Sequence, residues 1–476
     1  MNGCVPMPPN MGKFPRPDGQ GDETDIRVTA NAAPPTWSSV GVWAAGGLLG
    51  GLAGSLATVL VTELIKAILA AVSGLGTAWL MLLPLLGVAL AVLVLYGLAK
   101  GDAVQRLFPR TAALPRRLFP LSSWYSFPRD VARADLTADV VATAGEEERF
   151  PWHLAPVRAL AILPTVGLGA AMGTESPAAY LGVAAGAWLG SAHPSLRRLV
   201  RPAAVGGGAA GVAALMGIPL VGSFFMLELS WRRQVPLSLE RVVAALVGGL
   251  VGWGINLAFR LDLIRLVVPK VPPSDLWDAV GAALFIGAIA GAVTSLSGEA
   301  IYWARGWQAR PAVRLVVGAL AMLSLAAVTA LIATPAAAFG PGGAAIVWAE
   351  TVQTTPYHLL AVALLRAAAT TAAVAAGGCG GVFVPFLAIG DLAGRVFAAA
   401  FGVPPDLAGA AGAASGIAGG YRLPFTAVVM VLGVGGPTAA TLTCLATVVV
   451  AALSGLVAAR ATKTLSSLLA ATVRRT

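Results

Sequence analysis

The chain is 476 residues long, 57% hydrophobic and only 11% charged, with a mean hydropathy of +0.80. Water-soluble domains carry about twice that charge, so an ordinary soluble globule is excluded. Three cysteines (Cys4, Cys379, Cys444) and three histidines (His153, His193, His358) stand too far apart for a disulfide framework or a Cys/His metal centre, so neither an enzyme nor a cofactor is expected. The net charge of +10 resides in breaks between apolar runs, a distribution that suits cytoplasmic loops and anionic lipid and argues against a nucleic-acid partner.

In chain order, residues 1–38 form a Pro-, Gly- and Asp-bearing stretch that reads as a disordered tail, with no apolar run long enough for a signal-peptide core. Residues 39–460 alternate apolar segments with short polar breaks, enough for roughly ten or more membrane helices of about 20 residues each. The expectation is an all-α, multi-pass protein of the cell membrane. Residues 100–133 hold the densest basic cluster (Arg106, Arg110, Arg116, Arg117, Arg129, Arg133), which predicts a cytoplasmic loop. Residues 176–190, 382–397, 407–420 and 423–433 are too short or too Gly-broken to span, so broken and re-entrant helices are predicted. Residues 461–476 read as a short C-terminal tail or surface helix.

An internal repeat organises these pieces. Residues 211–229 overlay on 416–434 without a gap, pairing Gly211 with Gly416 and Pro219 with Pro424. Upstream, each copy carries a second proline just after a Gly-containing turn, Pro177 in GTESP and Pro385 in GVFVP. Two halves of inverted topology, about 39–260 and 261–460, are therefore expected, with substrate held where broken-helix ends meet near the bilayer midplane.

Free N–H groups and the positive end of the helix dipole make converging helix N-termini an anion site that needs no Lys or Arg. Gly173, Thr174 and Ser176 in the first half, and Gly381, Val382, Phe383 and Val384 in the second, are the candidates to present them. A carboxylate within an apolar segment is costly, and Glu175 is the clearest case. It either contends with the anion for the same field or serves as a first-turn structural acid. Glu228 stands either on a proton path or at the membrane interface. Glu63, Glu299, Glu350 and Asp391 read as interfacial or helix-end acids, and Arg366 as a residue that snorkels or pairs.

Residues 366–394, RAAATTAAVAAGGCGGVFVPFLAIGDLAG, resemble the second-half signature of the CLC family of chloride channels and proton/chloride exchangers, matching at Arg366, Thr370, Gly377, Gly380, Gly381, Phe383, Pro385, Gly390 and Gly394. GTESP is similar to the family's Gly-Arg-Glu-Gly-Pro, with Thr174 and Ser176 departing from Arg and Gly, and residues 339–343 resemble the Gly-rich entry to its second repeat. The resemblance implies a homodimer in the lipid bilayer, a separate pore in each subunit, chloride or a related anion as substrate with protons as a possible second one, and Glu175 as a protonatable gate. It also marks departures. Residues 133–137, RADLT, hold no counterpart of the family's anion-binding serine, the inner tyrosine aligns best with Ser466, and the second of two successive acids falls on Leu229 after Glu228. A secondary transporter of another anion and a transport-inactive relative with a scaffold or sensing role are the alternatives.

Overall fold

The computed structural model describes residues 37–72, 74–99, 136–261, 266–352 and 354–473. The N-terminal stretch up to residue 36 and the basic loop 100–133 lie outside the described residues. Trp37 and Ser38, assigned above to the tail, open the first helix, because no breaker separates them from the apolar run that follows.

The first half comprises α1 (Trp37–Val72), α2 (Thr77–Ala99), α3 (Leu136–Thr143), α4 (Ala155–Gly167), α5 (Glu175–Ser191), α6 (Val200–Met216), α7 (Pro219–Arg232) and α8 (Leu239–Phe259). The second comprises α9 (Leu276–Gly306), α10 (Pro311–Ile332), α11 (Pro335–Ala338), α12 (Gly343–Thr351), α13 (Pro356–Ala376), α14 (Phe383–Arg395), α15 (Pro405–Gly420), α16 (Pro424–Gly435) and α17 (Leu442–Val473). Eight described helices are long and apolar enough to cross a membrane. The expected short pieces are present as α5, α14, α15 and α16. At 1.5 Å per residue, the 13 residues of α14 and the 12 of α16 reach only about 20 Å and 18 Å, short of a hydrocarbon core of about 30 Å. The last helix runs past residue 460, where the membrane domain was expected to end, because no Gly or Pro interrupts it after Gly455.

The repeat appears in the packing. α1 packs on α6 and α8 as α9 packs on α15 and α17; α2 lies on α4 as α10 lies on α13; α3 meets α5 as α12 meets α14. Pro219 and Pro424 occupy the first turns of α7 and α16, where a missing N–H costs nothing. Their overlay also pairs Gly217 with Arg422, and both adopt left-handed backbone (φ 69° and 61°).

Lipid supplies no hydrophobic drive for helix association, so close backbone approach through small residues takes its place. A Cβ on Gly182 would lie 2.1 Å from the Gly207 carbonyl oxygen where α5 crosses α6, and one on Gly412 would lie 2.1 Å from that of Gly390 where α15 crosses α14. Gly207→Val and Gly412→Val are therefore each expected to lower the unfolding temperature in detergent, at the roughly 1–3 kcal/mol typical of overpacking. Gly254→Val, at a position with no atom within 4 Å of the added Cβ, is expected to leave it unchanged.

Candidate functional site

Two loops, one from each half, meet at the centre of the helix packing. Gly173 N–H donates to the Gly381 carbonyl at 2.7 Å and Gly381 N–H returns to that of Gly173 at 2.8 Å, an isolated antiparallel bridge. This pairing satisfies backbone that neither helix can satisfy, as the interior of a membrane protein demands. It also places the starts of α5 and α14 side by side.

Both starts are buried, and neither Thr174 nor Val382, their N-cap residues, gives a side-chain cap. At α8, α11 and α13, by contrast, Ser238, Thr334 and Thr355 cap the first turn. Uncapped N–H groups in a buried place leave a positive field to be satisfied by something else. The Glu175 side chain, only 1% exposed, lies in that field. Its carboxylate folds back over Gly173, where a Cβ would stand 2.3 Å from Oε2 and 3.4 Å from the Val384 Cβ, so a side chain at 173 would displace the carboxylate from this position. Thr174 Oγ1 donates to Oε1 at 3.2 Å, the amides of Thr174, Glu175 and Val384 lie around the carboxylate, and no cation among the described residues pairs with it. Oε2 makes no hydrogen bond of normal geometry.

Next to Glu175 a set of hydroxyls converges that spacing did not reveal. Tyr421, at the turn after α15, brings its hydroxyl within 2.8 Å of Ser176 Oγ and 3.2 Å of Thr137 Oγ1. Its ring packs edge-on against Phe383 and Phe386, with centroids 5.4 and 5.7 Å apart. Thr137 belongs to α3, whose described residues begin at Leu136, so a third helix contributes to the cluster. The structure thus supplies hydroxyls where residues 133–137 lack a serine. The signal for Tyr421 was present in the sequence, since the overlay sets it immediately before the left-handed position shared with Gly217. A cavity of about 450 Å³, lined among others by Asp139, Arg232, Tyr302 and Arg305, ends on Thr137 and Tyr421. Arg158 braces this wall by pairing with Asp139 and lying 4.9 Å over the Tyr180 ring.

Other candidates lie elsewhere. Glu228 is buried and accepts hydrogen bonds from the amides of Phe425 (3.0 Å) and Thr426 (2.7 Å) and from the Thr426 hydroxyl, so it caps α16 across the two halves and makes no contact with Glu175. Ser466 falls on α17, and its side chain is outside the described residues. Of the two readings for Asp391, the helix-end one fits its place four residues before the end of α14 and the interfacial one does not: it is wholly buried and bound through both oxygens to Arg395. Arg366 neither snorkels nor pairs with an acid. It is 1% exposed and donates to the carbonyls of Ala338 (2.9 Å) and Gly340 (2.5 Å), and at 3.4 Å to that of Ala337. The turn it pins is tied to the first half by Gly340 N–H to the Gly169 carbonyl (2.8 Å), and the Phe339 ring fills the space where Gly169 has no Cβ.

The sequence pattern described as "Voltage gated chloride channel" matches residues 123–455. The chain belongs to that family. It is 26% identical over 302 residues to the H(+)/Cl(-) exchange transporter ClcA of Yersinia pestis bv. Antiqua (strain Angola), covering 59% of this chain and 60% of the relative. Over 302 residues it is 28% identical to the ClcA of Cronobacter sakazakii, covering 59% and 62%. The matched region thus spans about 60% of the length of such relatives. Among solved structures, a CLC-type fluoride/proton antiporter superposes with a TM-score of 0.63 at 19% identity over 89% of this chain and 96% of its own. A slow cyanobacterial Cl-/H+ antiporter does so with 0.63 at 19% over 90% and 95%. At that identity the likeness is one of fold, and it places this CLC chain in an architecture of inverted repeats with interrupted helices.

Because Arg366 satisfies buried carbonyls that no other described side chain reaches, Arg366→Leu is expected to destabilise the protein by several kcal/mol, at about 1–3 kcal/mol per orphaned group. Thermal unfolding in detergent checks this. Glu228→Ala is expected to lose the smaller value of a helix cap, about 0.5–2 kcal/mol, by the same measurement.

Proposed function

We propose that this CLC chain conducts chloride or a related small anion across the cell membrane through a path that Glu175 gates. The observation carrying this reading is a carboxylate that lies, without any cation, over two uncapped helix N-termini from opposite halves (about 39–260 and 261–460). Those N–H groups attract negative charge, and Glu175 supplies it when no anion does. A halide entering the cavity above Tyr421 loses water to the hydroxyls of Thr137, Tyr421 and Ser176. It then takes the place of the Glu175 carboxylate at the amides of Gly173, Thr174 and Ser176 and of Gly381, Val382, Phe383 and Val384. Protonating Glu175 removes its charge and so its claim on that field, which couples anion flux to pH. Weak dipolar ligands suit passage, since the ion must bind and still leave. A full cation at this place would hold the anion too long.

Tyr421 joins Ser176 to Thr137, and the anion must open that junction to pass, so the hydroxyl acts as an inner closure and Phe383 and Phe386 hold its ring. Capping of α16 by Glu228 supports a structural role for that acid. The same reading takes the molecule as a homodimer in the bilayer with a pore in each copy.

Chloride efflux from proteoliposomes tests the proposal. Glu175→Gln is expected to change the efflux rate and abolish its dependence on pH; a variant with the wild-type rate and pH profile removes Glu175 from the path. Tyr421→Phe keeps the ring and loses the junction. It is expected to raise efflux about thirtyfold, equivalent to two hydrogen bonds of roughly 1 kcal/mol each, with the pH profile preserved.

A further inference from the structure

A gate that takes up a proton needs a route for it, and the surroundings of Glu175 offer few carriers. Ionisable groups on the elements around α5 include Glu63 and Lys66 on α1, Asp139 on α3, His153, Arg158 on α4, Arg201 on α6, and Asp391 and Arg395 on α14. None acts on the Glu175 carboxyl, whose hydrogen-bond donors are the Thr174 hydroxyl and backbone amides. Glu228 is committed to α16.

The face of α1 turned toward Thr174 carries an unusual feature. Many buried hydroxyls on the described helices find a partner, some by donating to the carbonyl four residues back, as Ser55 to Gly51, Thr165 to Ala161, Thr370 to Arg366 and Thr447 to Thr443, and others across a packing contact, as Ser223 to the Ala245 carbonyl. Thr58, 1% exposed and pressed against Gly211, does not; its Oγ1 has no partner. It lines a cavity of about 10 Å³ together with Thr62 of α1 and Thr174, Pro177, Ala178 and Leu181. That volume is the room one water requires, and the polar groups on its wall are the kind that hold one. Unpaired buried hydroxyls call for such an explanation. Along α1 the polar residues continue at helical spacing, from Thr58 to Thr62 to Lys66, whose ammonium is ion-paired with exposed Glu63 at 3.1 Å. Residues four apart share one face of a helix, so this stripe leads from the aqueous end of α1 to the wall of the cavity.

We propose that Thr58 and Thr174 hold a water in this cavity, and that the water, supplied along the Thr62 to Lys66 stripe, relays protons to Glu175. The water gives a proton to Thr174 Oγ1 as the Thr174 hydroxyl proton passes to Glu175 Oε1. The water recovers its proton from the aqueous phase along α1, so one proton moves inward and every oxygen keeps its own bonds. The route separates proton delivery from the anion path through Tyr421. It rests on Glu175 being the protonatable gate.

The test applies a rapid pH step to proteoliposomes and follows the approach of chloride efflux to its new rate. Thr58→Val keeps the shape and loses the hydroxyl. It is expected to reach the same final efflux at each pH but to approach it about a hundredfold more slowly, the lower end of what a positioned proton-transfer partner contributes, and Thr58→Ser is expected to restore the speed. Thr62→Val, read in the same way, keeps the test decisive should Thr58→Val fail to fold. A crystal structure is expected to show water within hydrogen-bond distance of Thr58 Oγ1 and Thr174 Oγ1. Wild-type relaxation in both valine variants, or a Thr58 hydroxyl without water, overturns the relay. A Glu175→Gln variant that keeps the pH response, or a wild type that has none, overturns the gate itself; loss of the response in Glu175→Gln with unchanged valine variants removes the relay alone.

Discussion

The site depends on a pair of backbone hydrogen bonds. In the interior of a membrane protein an unpaired amide has no water to turn to, so the two loops that interrupt the helix packing must find partners in each other. Gly173 and Gly381 do so reciprocally, and this exchange sets α5 and α14 start to start. Their remaining amides are left to the Glu175 carboxylate because neither N-cap side chain takes them. On the proposed reading, an anion site made this way needs no cation, and its strength is limited to that of dipoles.

Much of the surrounding architecture protects that arrangement. Glycine pairs at the α5–α6 and α14–α15 crossings bring backbones into contact, which fixes the direction in which each short helix points. Arg366 and the Gly340–Gly169 hydrogen bond lock the 337–342 turn of the second half against the loop leading to Glu175. Charge is handled in opposite ways at different depths. Asp391 is neutralised by Arg395 at the C-terminal end of α14 and Glu228 is absorbed by the α16 amides, whereas Glu175 has neither a cation among the described residues nor a full set of donors. On the proposed reading, that difference separates the gating acid from acids that hold the fold.

Several parts of this were legible in the residues. Apolar composition dictated helices, run length separated spanning helices from short ones, and the gapless overlay of 211–229 on 416–434 anticipated the matching turns at Pro219 and Pro424. The Gly-rich turns and the lone acid in GTESP marked the two loops. Tyr421, Thr137 and Thr58 were not picked out, because each is an ordinary residue of its helix or turn until another element is laid against it. Glu228 and Arg366 were seen, but their partners on α16 and in the 337–340 turn lie about 200 and 30 residues away along the chain.

The sequence by itself determined that the chain lives in lipid, that its helices are interrupted at glycine- and proline-marked places, and that the two halves correspond, since these follow from transfer free energy and local backbone preference. Tertiary structure alone decided which interruptions meet, which hydroxyls face them and which buried acid is left with neither a counter-charge nor a full set of donors. Those outcomes depend on distances between segments hundreds of residues apart, and such distances are set by close packing of backbones in a solvent that offers no hydrogen bonds of its own.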